Sequence, residues 1–210
     1  MHTIESVKNA IDMAERGESN CDNDCIGVSR DTPTVQTGPA TRRLLNNLLA
    51  AGEQTYLEVG MYYGNSFAAA INGNKFKCAY GIDSLIVGPS SALKESILEK
   101  IKQWHTPSNG MVVTFFEDCF KFDVSRIPDP ITVYMYDADH TKEGHRKGIT
   151  HFWPCLADRF VLIVDDWNWE DVRKGTEIGL GEVNSKILFN TTLLNMDKYY
   201  NGLSVWLIEK

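Results

Sequence analysis

With 210 residues, of which 43% are hydrophobic, 23% charged, 16 glycine and only 7 proline, the chain has the size and composition of one folded α/β domain. A disordered or fibrous protein is excluded. The formal net charge of -7 and the lack of any run near the roughly 18 to 20 apolar residues of a membrane span argue against nucleic acid or a membrane as partner.

Met1 to Gly17 carries a charged helical pattern with no signal-peptide core, so a cytoplasmic location is expected. Within it, Thr3 to Arg16 places Ile4, Val7, Ile11, Met13 and Ala14 close to helical period. A polar, turn-rich stretch follows through Thr37 and has the character of a loop over a site. Thr41 to Ala51 predicts a second helix, with Leu44, Leu45, Leu48 and Leu49 on one face and Gly52 as its stop.

Five runs rich in β-branched and aromatic residues come next: Thr55–Val59, Cys78–Ile82, Met111–Phe116, Ile131–Tyr136 and Phe160–Val164. Helical segments at Ser66–Ile71, Ser91–Trp104 and Lys142–Leu156 alternate with them, the βαβ rhythm of a parallel sheet. The last two runs, Lys186–Leu194 and Leu203–Glu209, join through Asn201 and Gly202 with no room for a crossover helix. They are expected to pair as an antiparallel hairpin at one edge. The fold class is therefore α/β: a Rossmann-like, doubly wound, mostly parallel seven-stranded sheet with an antiparallel C-terminal hairpin.

An acidic residue stands in or just beyond each of the first five strands: Glu58, Asp83, Asp118, Asp137, and Asp165 with Asp166. Ligands of open α/β sheets bind outside the carboxyl ends of the strands, so these side chains should converge on one crevice. Turn preference for Asp accounts for two or three of them, less easily for all. Glu58-Val59-Gly60-Met61-Tyr62-Tyr63-Gly64-Asn65-Ser66 runs from a strand through a glycine turn into a helix whose first N–H groups suit a carboxylate. Its G-x-x-x-G spacing departs from the G-x-G-x-x-G of dinucleotide folds and favours a ligand whose middle is not a diphosphate. Asp83, 25 residues after Glu58, is placed for the two ribose hydroxyls of a nucleoside, a role that an NAD-binding protein would share.

Together with Gly81-Ile82-Asp83, Phe116-Glu117-Asp118-Cys119, Tyr136-Asp137-Ala138-Asp139-His140 and Val164-Asp165-Asp166-Trp167, this turn resembles the ordered motifs of class I S-adenosylmethionine-dependent methyltransferases. Within that class the motifs are most similar to the catechol O-methyltransferase-like branch and the metal-dependent sugar O-methyltransferases, from about Gly52 to the C-terminus. The resemblance implies that Glu58, Gly60 and Gly64, with Tyr62 and Ser66, hold the amino-acid part of the cofactor. It assigns Asp83 and Ser84 to the ribose, and Asp118 with Cys119 to the adenine. Asp137, Asp165 and Asp166 fall where the metal-dependent branch has its three ligands, Asp137 also bordering the cofactor, and Asp139 or His140 falls where the base would be. Catechol-type enzymes carry Lys where this chain has His140, and commonly Asn where it has Asp166; the D-x-D of Asp137 and Asp139 is the sugar-enzyme pattern.

The resulting expectation is one domain over 1–210, with 1–51 a helical and loop segment able to cover the site and 52–210 the cofactor-binding core. Its activity would be Mg²⁺-dependent O-methylation of a small-molecule acceptor, and a homo-oligomer is compatible with it. The rivals are a metal-independent methyltransferase, a non-catalytic nucleotide-binding or regulatory domain, and an NAD-dependent oxidoreductase weakened by the glycine spacing. Five cysteines, three of them (Cys78, Cys119, Cys155) in core-like segments, predict reduced thiols; Cys21 and Cys25 lack a second Cys/His pair at zinc spacing. Trp167 and Trp169 fit either core packing or a flat wall for an acceptor. Arg173 and Lys174 fit a solvated helix face.

Overall fold

The computed structural model describes residues 1–21, 25, 36–86 and 90–210. Its strands are β1 (Thr55–Val59), β2 (Cys78–Ile82), β3 (Met111–Phe115), β4 (Ile131–Tyr136), β5 (Leu156–Val164), β6 (Lys186–Leu193) and β7 (Leu203–Glu209). The helices are α1 (Ile4–Glu15), α2 (Pro39–Leu49), α3 (Asn65–Ile71), α4 (Ser90–Trp104), α5 (Lys142–Phe152), α6 (Glu170–Glu182) and the single turn α7 (Met196–Tyr199).

One seven-stranded sheet runs in the order β3-β2-β1-β4-β5-β7-β6. Pairing is parallel from β3 to β5, whereas β7 lies antiparallel to both β5 and β6. The strand order reverses between β1 and β4. That switch point opens a crevice at the carboxyl ends of the strands.

Strand alternation divides the core between the two faces. Tyr56, Val133, Met135, Val161 and Ile163 pack under α1 to α4 with Val7, Leu44, Leu48, Phe67 and Ile97. Leu57, Tyr134, Tyr136, Leu162 and Trp206 pack on the other face, under α5 and α6, with Ile149, Phe152, Val172 and Leu180. A capping box between Thr3 and Ser6 starts α1, and Pro39 starts α2 two residues before the expected Thr41.

Several elements differ from expectation. The helix read as Lys142–Leu156 ends at Phe152, because Pro154 sits in a tight three-residue turn, and β5 then begins at Leu156 rather than Phe160. The sequence pattern placed Arg173 and Lys174 on a helix without giving its extent; α6 spans 13 residues. A one-turn helix, α7, stands within the β6–β7 connection.

Glycine sets how closely α5 and α6 approach. A Cβ on Gly175 would lie 2.2 Å from the Lys142 carbonyl oxygen, and one on Gly179 would lie 2.9 Å from that of Arg146. On the N-terminal side, the Tyr199 hydroxyl donates to Glu15 at 2.7 Å and Lys198 pairs with the same carboxylate, tying α1 to α7. No helix among the described residues is long and apolar enough to cross a membrane.

Candidate functional site

A cleft of about 570 Å³ lies over the carboxyl ends of β1, β2 and β4. The expected site residues Gly60, Tyr62, Ser66, Asp83, Ser84, Asp118, Cys119, Asp137, Asp139 and His140 line it. Volumes of this order suit a small molecule or cofactor. Among the described residues, four of the five non-glycine residues with positive φ, Tyr62, Leu85, Asp166 and Tyr200, follow strand ends or border these turns, so local strain concentrates near the crevice.

Of the expected cofactor residues Glu58 and Gly64 do not line it, nor do the expected metal ligands Asp165 and Asp166. Glu58 is fully buried beneath the cleft floor, where it accepts hydrogen bonds at 2.5 Å from the Tyr56 hydroxyl and at 2.5 Å from the Ser66 hydroxyl. Burial, opposed by these two hydrogen bonds, pushes its carboxyl up to about 8. It therefore reaches the cleft only through Ser66. Gly64 has φ 79°, and a Cβ there would sit 3.1 Å from Ile97, so its smallness serves the packing of α3 against α4. Gly60 is needed for a chain crossing: at φ 90°, an added Cβ would come within 1.9 Å of the Asp137 carbonyl oxygen.

Asp83 leaves β2 and turns back over the glycine loop. One carboxylate oxygen accepts from the Tyr62 amide at 2.8 Å and the other from the Leu85 amide at 2.6 Å. Two residues with left-handed backbone are thus held by one side chain, whose remaining lone pairs are available to the cleft. At the far wall Asp118 accepts from the Phe120 amide at 2.9 Å, and burial raises the half-buried Cys119 thiol to about 12.

The carboxylates at the ends of β4 and β5 are adjacent, as expected, but group differently. Asp137, His140 and Asp166 bring one ligand atom each within 4.8 Å of the others. His140 Nε2 lies 2.8 Å from Asp166 and 3.2 Å from Asp137. Asp165, expected as the third oxygen ligand, is instead only 7% exposed and stands outside that group. Consecutive residues leaving a strand point to opposite sides, which separates Asp165 from Asp166.

Charge follows from this geometry. Burial, with the Asp137 charge added, pushes Asp165 well above the usual carboxylate range, and burial raises Asp137 as well. Burial would raise Asp166 too, but hydrogen bonds from His140 and from Asn201 at 2.6 Å outweigh it and lower it. The hydrogen bonds to Asp137 and Asp166 push His140 up to about 10, leaving it an imidazolium with its Nε2 occupied. Of the two expected bases, Asp139 is the better placed to accept a proton: it is exposed at the rim, with one oxygen on the Thr141 amide at 3.0 Å.

The tryptophans divide. Trp167 is buried against Trp206, whereas Trp169 is 48% exposed with its ring 5.2 Å from that of His140. Cys78 and Cys155 are buried, and Cys21 and Cys25 pack on Ala68 and Ala69 of α3. Residues 22–24 and 26–35, most of the expected covering loop, lie outside the described residues; Gln36 and Thr37 at its end line the cleft. Gln36, Thr37, Phe120 and the Asp166 partner Asn201 were not legible as site residues. Asn201-Gly202 carried only a turn signal.

No family model and no curated protein matches the chain. Solved structures do. An O-methyltransferase of Bacillus cereus in complex with S-adenosylhomocysteine is 12% identical, covers 100% of this chain and 93% of its own, and superposes with a TM-score of 0.57. TomG of Streptomyces achromogenes, an O-methyltransferase involved in tomaymycin synthesis and solved with S-adenosylmethionine, is 16% identical over 100% of this chain and 92% of its own, at a TM-score of 0.59. The fold is that of the S-adenosylmethionine-dependent O-methyltransferases. A Streptococcus mutans protein assigned as an S-adenosylmethionine-dependent methyltransferase shares 19% identity over 80% of this chain, at a TM-score of 0.55; the chain spans 47% of that protein's length. Identities this low establish a methyltransferase fold and leave chemistry to the residues.

Proposed function

We propose that this protein is an S-adenosylmethionine-dependent O-methyltransferase acting on a small hydroxylated acceptor, with a divalent cation bound beside the cofactor. The observation that carries this reading is the convergence, in one cleft on a methyltransferase fold, of the Gly60 turn, Ser66, Asp83 and the Asp118–Cys119 wall with the Asp137–His140–Asp166 cluster next to them. The cofactor fits: Asp83 offers lone pairs to a ribose, and Ser66, oriented from below by Glu58, offers its hydroxyl to the amino-acid end. Glu58 is a positioning residue in this reading.

When bound, S-adenosylmethionine supplies a methyl group on a sulfonium, which passes in line to an oxygen nucleophile. The chain's residues then have to align the acceptor and remove its proton. Asp139 is the residue we assign as base. Asp137 and Asp166 fit a divalent cation, which would supply charge to acidify the acceptor hydroxyl. Once a cation displaces the proton on His140 Nε2, the donors are mixed oxygen and nitrogen, which suits Mn²⁺; Mg²⁺ takes oxygen ligands and would require water in place of the imidazole.

Calorimetric titration with S-adenosylhomocysteine and with NAD, followed by transfer of labelled methyl to phenols and sugars with and without Mn²⁺ or Mg²⁺, tests the reading. Tight S-adenosylhomocysteine binding and cation-dependent transfer are expected. Tighter NAD binding overturns it; transfer that survives EDTA leaves the metal-independent enzyme; cofactor binding with no transfer to any acceptor leaves the regulatory domain.

A further inference from the structure

Beside the cofactor cleft a second recess of about 560 Å³ opens, lined by His140, Thr141, Trp169, Glu170 and Asp171. His140 lines both spaces, so the recess adjoins the cleft where an acceptor must approach. Resting on the methyltransferase reading, we propose that this recess seats the acceptor and selects one that carries a cationic amine as well as its hydroxyl, with Trp169 as platform and Asp171 as counter-charge.

Trp169 is presented rather than packed. Its backbone is fixed, the amide donating to the Asp166 carbonyl at 2.9 Å and the carbonyl accepting from the Arg173 amide at 3.2 Å, yet its indole stays 48% exposed. Trp167, two residues earlier, is 6% exposed, so burial of an indole was attainable in this loop. An exposed indole face attracts an ammonium through the ring quadrupole and also stacks on the apolar face of a hydroxylated ring.

The net charge around it is negative, because the His140 imidazolium is answered by both Asp166 and Asp137. Glu170 and Asp171 open α6, a place where acids complement the helix dipole and need no ligand. Glu170 is further answered by Lys174 at 2.5 Å, and the Arg173 guanidinium is turned to the Trp167 carbonyl at 2.9 Å. Asp171 enters none of the ion pairs formed among the described residues, and Asp139 lies just across His140 at the cleft rim. An acceptor carrying a carboxylate or phosphate would be repelled from such a recess, while an ammonium would be drawn in.

The test uses the full chain saturated with S-adenosylhomocysteine in EDTA, so that metal chelation contributes nothing. Two matched series are titrated by calorimetry: glucosamine, glucose and glucuronate; dopamine, catechol and 3,4-dihydroxybenzoate. In at least one series the amine should bind about tenfold more tightly than the carboxylate, with the neutral member between. Asp171→Asn should compress that ratio to about threefold or less, and Trp169→Ala should weaken amine and neutral members alike, with Trp169→Phe restoring most of the loss. Binding that ignores charge, preference for the carboxylate, an unchanged ratio in Asp171→Asn, or no binding of any member overturns the proposal while leaving the cofactor reading intact. Failure to bind S-adenosylhomocysteine at the outset overturns both.

Discussion

Asp83 holds two left-handed residues in place with the same carboxylate that faces the cleft. Asp83→Ala should therefore lower S-adenosylhomocysteine affinity by about 10- to 100-fold and also cost about 1–3 kcal/mol of stability, since two backbone amides lose their acceptor. Titration and thermal melts read the two effects separately, and unchanged affinity in a folded variant refutes the ribose role. His140 gives a prediction with a pH sign. Its bonds to Asp137 and Asp166 raise it from 6.5 to about 10, so the stability its charge contributes is present in full below 6.5 and is lost as pH rises through 10. In EDTA, the gap in melting temperature between wild type and His140→Gln should be wide from pH 5 to about 7 and close by about pH 10; a gap that widens with pH refutes the imidazolium bridge. Strand-end acids such as Asp83 and Asp137 were legible because the position after a strand decides where they point. The burial of Glu58 was not, because inside a strand only the neighbours decide whether a carboxylate meets solvent or Tyr56 and Ser66.

Between elements, glycines let α5 and α6 approach closely, and that approach governs where Asp139, His140 and Trp169 sit at the ends of those helices. A methyl group at Gly175 has no room beside the Lys142 carbonyl at 2.2 Å, while one at Gly181 meets nothing within 4 Å. Gly175→Ala should destabilise by about 1–3 kcal/mol through overpacking, whereas Gly181→Ala should be neutral or stabilise by up to about 1 kcal/mol through helix propensity. Denaturant titration checks both, and equal effects would mean that the helices are not in contact through Gly175. These glycines also explain why α6 had no clear signal in the sequence: Gly175, Gly179 and Gly181 all weaken helical propensity, and the first two permit packing against α5, a tertiary gain that no local pattern carries. The early start of β5 was hidden for a similar reason. Ala157, Asp158 and Arg159 lack the β-branched signature and extend as a strand because Ile131 and Glu209 pair beside them.

The mostly parallel sheet and its antiparallel hairpin were legible from alternation of strand and helix, since parallel strands need crossovers and the last pair had no room for one; the strand order was not. Beyond that pattern lay the docking of the N-terminal segment, where Glu15 meets Lys198 and Tyr199 more than 180 residues away and Asn201, just after, holds Asp166. The chain thus gathers acidic groups at one end of a sheet in a protein that already carries a net charge of -7. Asp137 and Asp166 flank His140, and the buried Asp165 stands beside them at the end of β5. The unfolded chain disperses these carboxylates and binds a divalent cation weakly, so a cation that prefers the folded cluster must raise stability by mass action, about 2.7 kcal/mol at one hundred times its dissociation constant. Mn²⁺ should raise the melting temperature of the S-adenosylhomocysteine complex by several degrees and more than Mg²⁺ does, because Mn²⁺ accepts the His140 nitrogen. Asp137→Asn and Asp166→Asn should each abolish the shift, while Asp118→Asn, outside the cluster, should keep it. A shift that persists in both cluster variants, or the lack of one at millimolar Mn²⁺ with cofactor bound, would leave His140 as the cluster's own counter-ion and the enzyme metal-independent.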